Sequence, residues 1–168
     1  MRIEPLEAGN LELVAGWLAE EQNRKWLDFG GGVQCLNPVT MRMMQQRGTH
    51  VFRLFFGDDA VSPTGVAGLI SVDRTFGTAA LWYVLGDKSQ AGRGITTRAV
   101  AGLLAEAFGP LGLTAVNAWT VDRNLPSQRV LERCGFKKIG RQRRCHVIDG
   151  EPCDRIHYDL LAGELVIP

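Results

Sequence analysis

The chain has 168 residues, of which 45% are hydrophobic and 22% charged, and its formal net charge is +1. This length suits a single domain over residues 1–168, and the near-neutral charge gives no reason to expect binding to nucleic acid or an anionic membrane. No apolar run reaches membrane-spanning length and the first residues lack a signal-peptide core, so we expect a cytoplasmic protein.

The cysteines also favour a cytoplasmic protein. None of Cys35, Cys134, Cys145 and Cys153 belongs to a Cys-x-x-Cys pair, and the three histidines are not spaced to complete a zinc site with them. We therefore expect no metal. Cys134 and Cys145 lie in apolar patterns and are expected to be reduced residues of the core, which is typical of the cytoplasm.

The N-terminal part predicts an edge strand over residues 2–6 and then an amphipathic helix that Asn10 would cap. The apolar positions of that helix are Leu11, Val14, Ala15 and Leu18.

Residues 23–36 predict a mobile loop, because they contain the run Gly30-Gly31-Gly32. Another helical stretch begins near Pro38 and runs through Gln45. Trp17 and Trp26 are open to two interpretations: core residues, the usual case, or part of a binding-site wall.

Three strands are predicted next, over residues 50–57, 65–72 and 78–85, and they form an antiparallel meander. The first two are joined by a turn over residues 58–64. Its turn-forming residues are Asp58, Asp59, Pro63 and Gly65.

The stretch from Leu81 to Val100 reads as a strand, a glycine loop and the start of a helix. Gly92 and Gly94 flank Arg93, and from Ile95 the apolar residues have a helical period. The free N–H groups of a helix's first turn form an anion site, and glycines let the backbone approach the anion. We interpret the loop as a pyrophosphate site to which Arg93 and Arg98 add charge; the alternative is a tight turn with solvated arginines.

Two nucleotide-binding motifs are excluded at this loop. Thr97 stands where a dinucleotide fingerprint has its third glycine, and the Gly-Lys-Ser/Thr of a Walker A loop is missing. A dinucleotide oxidoreductase also needs an N-terminal βαβ unit, which the chain lacks.

Residues 114–121 predict a strand with Asn117 and Trp119 on one face. Asn124 then caps a short helix that Gly135 ends. Ser127 shares a face of this helix with apolar residues, so its hydroxyl either points into the protein or bonds its own helix.

Two strands complete the chain, over residues 136–148 and 155–161, joined by a turn at residues 149–152. His146 precedes that turn, where a surface position is the usual case. Tyr158 is expected in the core. The first of these strands carries a basic run, which indicates a solvated strand face. The weaker alternative is a site for an acidic or phosphate-bearing acceptor. The run comprises Lys137, Lys138, Arg141, Arg143 and Arg144.

The glycine loop and the Asn124 helix together resemble the GNAT superfamily, in its branch of ribosomal-protein-alanine N-acetyltransferases. The segments concerned are Gly92-Arg93-Gly94-Ile95-Thr96-Thr97-Arg98-Ala99, Asp122-Arg123-Asn124-Leu125-Pro126-Ser127 and Leu131-Glu132-Arg133-Cys134-Gly135-Phe136. The resemblance implies a mixed α/β domain. Its mostly antiparallel, twisted sheet would have about seven strands, with a V-shaped splay between strands four and five, and about four flanking helices.

The resemblance also implies acetyl-CoA as the co-substrate, with its pantetheine arm in the splay. The cofactor-binding residues it implies are Val84, Leu85, Gly86, Gly92, Arg93, Gly94, Ile95, Thr96, Thr97, Asn124 and Ser127.

For catalysis the resemblance implies Ser127 as the group that hydrogen-bonds or protonates the departing CoA thiolate, and His146 as a base. The N–H of Leu85, at a strand bulge, would bind the oxyanion. Some relatives carry a glutamate base where Trp119 stands and a tyrosine acid where Leu131 stands, and neither side chain can take that role here.

We therefore expect an N-acetyltransferase that moves an acetyl group from acetyl-CoA to a primary amine: a protein N-terminus, an amino sugar or a small molecule. The alternative is a catalytically silent acyl-CoA-binding sensor or scaffold. Whether the protein is a monomer or a homodimer stays open.

Overall fold

A computed structural model describes residues 1–58 and 61–168, so Asp59 of the predicted turn lies outside the described residues. The strands are β1 (Ile3–Pro5), β2 (Val51–Phe55), β3 (Gly65–Asp73), β4 (Thr78–Leu85), β5 (Ala115–Val121), β6 (Lys137–Ile148) and β7 (Glu151–Leu161). The helices are α1 (Leu11–Ala19), α2 (Glu21–Arg24), α3 (Pro38–Gln46), α4 (Ile95–Phe108) and α5 (Leu125–Arg133). None of the helices in these two ranges is both long enough and apolar enough to cross a membrane.

The strands form one sheet in the order β1-β2-β3-β4-β5-β7-β6. The predicted meander of β2, β3 and β4 is confirmed, because both of its pairings are antiparallel. β4 and β5 pair in parallel, and the remaining pairs are antiparallel. The mostly antiparallel sheet of a mixed α/β domain is therefore as expected, although the short helix α2 was not predicted and its last two residues fall in the segment predicted as a loop.

Alternation along β4 connects the two layers of the core. Leu81 and Tyr83 pack into the cluster that contains α4 and α5, whereas Trp82 and Val84 pack into the cluster formed with α1 and α3. Helices thus cover both faces of the sheet at β4, and successive side chains of this strand pack alternately into the two layers.

The final hairpin is longer than predicted. β7 begins at Glu151 because Asp149 and Gly150, at φ values of 52° and 76°, make a two-residue turn. Pro152 is tolerated in the strand because β5 pairs with β7 only from Arg155 onward, so the missing N–H removes no bond to β5. β2 is shorter than predicted and ends at Phe55.

Three further expectations need correction. The Asn10 side chain makes no capping bond, because a 3-10 turn over Ala8–Asn10 runs directly into α1. Cys145 is only half-buried, and Cys153 is the second fully buried thiol beside Cys134. The irregularity in the β3–β4 pairing lies between Ile70 and Asp73, at the opposite end from the predicted bulge.

Other expectations are confirmed. Tyr158 is fully buried in the core. The basic run lies on β6, an edge strand of the sheet, and every residue from 137 to 144 is exposed. A charged, solvated edge of this kind discourages pairing with other chains.

Candidate active site

The sheet opens between β4 and β5. The two strands pair only where residues 78–80 lie opposite residues 115–117. Beyond Ala80 the strands separate, and residues 81–85 have no partner in β5. This is the splay expected from the resemblance, and its free N–H and C=O groups can pair with an amide-bearing chain laid into the gap.

A cavity of about 540 Å³ occupies this opening. It extends from α2 and β4, past the glycine loop, to the start of α4 and the first turns of α5. All but two of the predicted cofactor-binding residues line it: Val84, Leu85, Gly92, Gly94, Ile95, Thr96, Thr97, Asn124 and Ser127. The exceptions are Gly86 and Arg93.

The glycine loop presents free backbone N–H groups to the cavity. Gly92 and Gly94 have φ values of 79° and 72°, and Gly94 is the N-cap of α4. In the described part of the chain, the N–H groups of Gly92, Arg93 and Gly94 find no acceptor. The first turn of α4 adds further N–H groups without helical partners, together with the positive end of the helix dipole. This backbone shape is suited to an anion.

The two arginines of this segment hold the loop in shape. The Nη2 of Arg98 lies 2.9 and 3.0 Å from the carboxylate oxygens of Asp58, and its Nη1 donates to the Arg93 carbonyl at 3.1 Å. Arg93 is exposed and donates to Gln90 at 2.7 Å. Arg98 is therefore paired with Asp58, and it is not among the residues that line the cavity.

Three other positively charged residues line the cavity, and the sequence analysis did not predict that they belong to the site: Lys88, Arg129 and Arg133. The two arginines lie four residues apart on α5, and so on one face of the helix.

Lys88 connects the loop after β4 to α2. Its Nζ donates to the Leu85 carbonyl at 2.6 Å and to the side-chain oxygen of Asn23. Asn23 is buried and donates in turn to the Trp17 carbonyl at 2.8 Å. Burial lowers the pKa of Lys88, although the negative charge of Glu20 acts in the opposite direction.

Gly86 supports the site by making room for Trp17. A Cβ on Gly86 would lie 2.2 Å from the Trp17 indole, and the Gly86 N–H donates to the Thr64 carbonyl at 2.9 Å. Of the two interpretations left open for Trp17, core residue or part of a binding-site wall, the structure therefore supports the core residue. Trp26, the other tryptophan, lines the cavity.

Ser127 lies opposite Tyr83 across the opening. The side chain of Asn124 caps α5 by accepting from the Ser127 N–H at 3.3 Å. The Tyr83 hydroxyl lies 2.9 Å from the Ser127 carbonyl oxygen and 2.7 Å from Ser127 Oγ. Burial raises the pKa of Tyr83 well above its usual value, so the phenol keeps its proton.

The single Tyr83 proton allows two hydrogen-bond arrangements. If Tyr83 donates to the Ser127 carbonyl, the Ser127 hydroxyl donates to Tyr83. If Tyr83 donates to Ser127 Oγ instead, the Ser127 proton is free to point into the cavity. Alternation along β4 indicated which face Tyr83 occupies, but no sequence signal connected it to Ser127, 44 residues away.

A smaller cavity of about 80 Å³ lies deeper between β4 and β5. The residues that line both cavities are Trp26, Leu27, Tyr83, Asn124 and Ser127. A chain in the larger cavity and a molecule in the smaller one would meet at these residues.

The structure does not bring His146 to that point. His146 is buried; its Nε2 donates to the Lys25 carbonyl at 2.7 Å, and its Nδ1 accepts from Arg155 Nη2 at 3.0 Å. It is in the lining of neither cavity. Irregular pairing between Gln142 and His146, with Arg144 at a φ of 52°, accompanies its inward position, which corrects the expectation of a surface residue.

Comparison with known proteins agrees with this architecture. The family model described as "Acetyltransferase (GNAT) domain" matches residues 1–137. The chain is 40% identical over 87 residues to a probable N-acetyltransferase, YjcK, of Bacillus subtilis (strain 168). That match covers 51% of this chain and 48% of the relative, so the chain matches about half of the relative's length.

Solved structures share the fold over nearly the whole chain. A spermidine N-acetyltransferase from Vibrio cholerae, in complex with CoA and spermine, has a TM-score of 0.83 at 14% identity and covers 97% of this chain and 96% of its own. RimJ of Mycobacterium smegmatis, in complex with CoA-disulfide, has a TM-score of 0.78 at 21% identity, covering 96% and 82%. The ribosomal-protein-S5-alanine acetyltransferase of Vibrio fischeri has a TM-score of 0.78 at 18% identity, covering 95% and 92%.

Proposed function

The chain belongs to the GNAT acetyltransferase family, and on that premise we propose that it transfers an acetyl group from acetyl-CoA to a primary amine. The acceptor is a protein N-terminus, an amino sugar or a small-molecule amine. The observation that carries the proposal is the continuous cavity from the glycine loop into the opening between β4 and β5. One end of this cavity suits an anion and the other suits an extended amide chain.

The proposal assigns the cofactor's diphosphate to the N–H groups of residues 92–97. Arg129 and Arg133 line the cavity and add positive charge there, whereas Arg98 is paired with Asp58 and does not line the cavity. The pantetheine arm then follows Val84 and Leu85 into the opening. The complexes of the Vibrio cholerae and Mycobacterium smegmatis neighbours with CoA or CoA-disulfide support this assignment.

In the proposed reaction, the neutral amine attacks the thioester carbonyl, the C–S bond then breaks, and the sulfur leaves with the electron pair. Holding the two reactants in line is worth up to about 7–11 kcal/mol. An N–H group at the oxyanion is worth about 3–4 kcal/mol. We keep the Leu85 N–H as the candidate oxyanion donor and Ser127 as the donor to the leaving sulfur.

Tyr83 completes this assignment. Leu131 leaves α5 without an acidic hydroxyl, but Tyr83 supplies a phenol from the other wall, 2.7 Å from Ser127 Oγ. When Tyr83 donates to Ser127 Oγ, the Ser127 proton is free for the sulfur. A base at His146 would require Arg155 to release Nδ1, so the proposal assigns removal of the amine's proton to water in the opening.

The rival function is an acyl-CoA-binding sensor, which the side chains of Trp119 and Leu131 favour because neither can exchange a proton. Two measurements on the same protein separate the functions: calorimetric titration with acetyl-CoA, and release of free CoA with a panel of primary amines. Amine-dependent CoA release supports the transferase. Tight binding of acetyl-CoA with no release for any amine would establish the sensor.

We also propose the cytoplasm as the location, because the four thiols are unpaired in the structure. Light scattering on the purified protein decides between the monomer and the homodimer.

A further inference from the structure

The charges around the two cavities discriminate among acceptors. Resting on the proposed function, we infer that the acceptor is a monoamine carried by an apolar or aromatic body, and that polyamines are poor substrates. This inference separates the chain from its spermidine-acetylating fold neighbour, with which it shares 14% identity and therefore the fold alone.

The wall of the smaller cavity is aromatic. Trp26, Phe29, Trp82 and Trp119 line it, and Phe29 meets Trp82 edge-to-face with ring centroids 5.0 Å apart. This wall removes apolar surface of a ligand from water. It also favours the neutral form of a bound amine over its ammonium form, and the neutral form is the nucleophile.

Two of these aromatic rings already make cation–π contacts with charged side chains of the protein. The Arg155 guanidinium lies 3.9 Å from the centroid of Trp119, and Lys25 Nζ lies 5.0 Å from the centroid of Trp26. A second ammonium of the acceptor would have to compete with these charges for the ring faces.

Among the described residues that line either cavity, Asp28 is the only carboxylate, and it lines the smaller one. Its Oδ2 accepts from Arg155 Nη2 at 2.7 Å, and its Oδ1 accepts from the N–H groups of Gly30 and Gly32 at 2.8 and 3.0 Å. Only 15% of the Asp28 side chain is exposed. Its charge is thus balanced by Arg155, and both of its oxygens already accept hydrogen bonds from the chain.

The other charged residues that line a cavity are positive and belong to the larger cavity, which the proposed function assigns to the cofactor, so they offer a second ammonium no negative partner: Lys88, Arg129 and Arg133. The carboxylates near α2 are engaged, because Glu21 pairs with Arg24 and Glu20 accepts from Gln22 at 2.7 Å. An acceptor with two ammonium groups would therefore leave its second charge without a partner in a partly desolvated site, which is costly. A single amine on an apolar body avoids that cost.

The test is a matched pair of acceptors on the wild-type protein. Pentylamine and 1,4-diaminobutane have the same number of non-hydrogen atoms and differ only in whether the far end is a methyl group or an ammonium. Release of CoA is measured for both across a range of concentrations. We expect kcat/KM for pentylamine to exceed that for the diamine by at least about tenfold, because binding the diamine removes an unpaired ammonium from water, which costs free energy.

A variant tests the electrostatic cause. Phe29→Glu places a carboxylate on the wall of the smaller cavity. This carboxylate can pair with the second ammonium of the diamine, so the diamine-to-monoamine ratio of kcat/KM should rise by about tenfold. Val33→Glu is the matched control: it adds the same charge to the same loop at a 50%-exposed position outside both cavities. The control should leave the ratio unchanged.

The outcomes are separable. Equal or faster turnover of the diamine by the wild-type protein overturns the inference while leaving the transferase proposal intact. Turnover of neither amine, nor of any amine in a wider panel, overturns the transferase proposal and the inference with it. If Phe29→Glu fails to fold, the wild-type pair alone decides.

Discussion

The hydroxyl pair of Tyr83 and Ser127 makes the most specific prediction about catalysis. Tyr83→Phe removes one oxygen and preserves the ring that packs between β4 and α5. The variant loses the contacts of 2.7 Å to Ser127 Oγ and 2.9 Å to the Ser127 carbonyl. The Ser127 hydroxyl is then free to turn toward its own helix. We expect slower departure of the thiolate with little change in the binding of acetyl-CoA.

The magnitude follows from the kind of hydrogen bond lost. A bond from Ser127 to a charged sulfur is worth about 1.5–3 kcal/mol, so Ser127→Ala should lower kcat by roughly 10- to 150-fold. The bond from Tyr83 to Ser127 joins neutral groups and is worth about 1 kcal/mol, so Tyr83→Phe should lower kcat by roughly fivefold. Because Tyr83 acts through Ser127, the double variant should be about as slow as Ser127→Ala alone.

The assay is CoA release at saturating acetyl-CoA and amine, with KM for acetyl-CoA measured in parallel. Tyr158→Phe is the matched control, because it deletes the same atom from a core tyrosine outside both cavities and should keep the wild-type kcat. Two results would refute the reasoning: a wild-type kcat for Tyr83→Phe, or losses in the double variant that simply add.

Three further predictions concern the loop and the acceptor wall. Gly94→Asp puts a carboxylate beside the cofactor's phosphates at a φ of 72° and should raise the Kd for acetyl-CoA at least about tenfold by calorimetry; an unchanged Kd would remove the anion site. Gly86→Ala drives a Cβ into Trp17 and should lower the free energy of unfolding in urea by about 1–3 kcal/mol; an effect as small as that of Gly140→Ala, which meets nothing within 4 Å, would contradict this. Burial alone would raise the pKa of Asp28, but hydrogen bonds from its guanidinium partner and two backbone N–H groups outweigh it and lower that pKa below 3.8. The ionised carboxylate therefore stabilises the fold above pH 3.8, and the stability advantage over Asp28→Asn should vanish as the pH falls through the folded-state pKa; a gap that persists at lower pH would contradict the ion pair.

Local signals account for what the sequence predicted well. β4, the glycine loop and α4 were predictable because each depends on its own residues: an apolar run, two glycines at positive φ and a helical period. The same holds for Asn124, whose capping bond to the Ser127 N–H spans three residues. These segments also define most of the large cavity.

The rest depends on contacts between distant parts of the chain. The link between Tyr83 and Ser127 needs β4 and α5 on opposite walls of one gap, and a pattern along either element does not contain that information. The sequence predicts that Gly86 binds the cofactor; the structure adds that it makes room for Trp17, 69 residues earlier. A glycine is required in both cases, so the sequence alone does not distinguish them.

His146 illustrates how a strand irregularity changes an interpretation. The residue precedes a turn, which favours a surface position. In the structure, the pairing of β6 shifts before His146, and the ring is hydrogen-bonded to Lys25, just after α2, and to Arg155. Arg155 on β7 donates to both His146 and Asp28, so the position of the loop that carries Phe29 depends on contacts that neither segment reveals alone.

The central claim is that the backbone N–H groups at the start of α4 hold a diphosphate while the gap between β4 and β5 admits the thiol-bearing arm. A crystal structure of the protein grown with acetyl-CoA tests it most directly. We predict phosphate oxygens within hydrogen-bond distance of the N–H groups of residues 92–97, and the sulfur beside Ser127. A diphosphate bound elsewhere, or strands β4 and β5 paired along their whole length, would contradict the account.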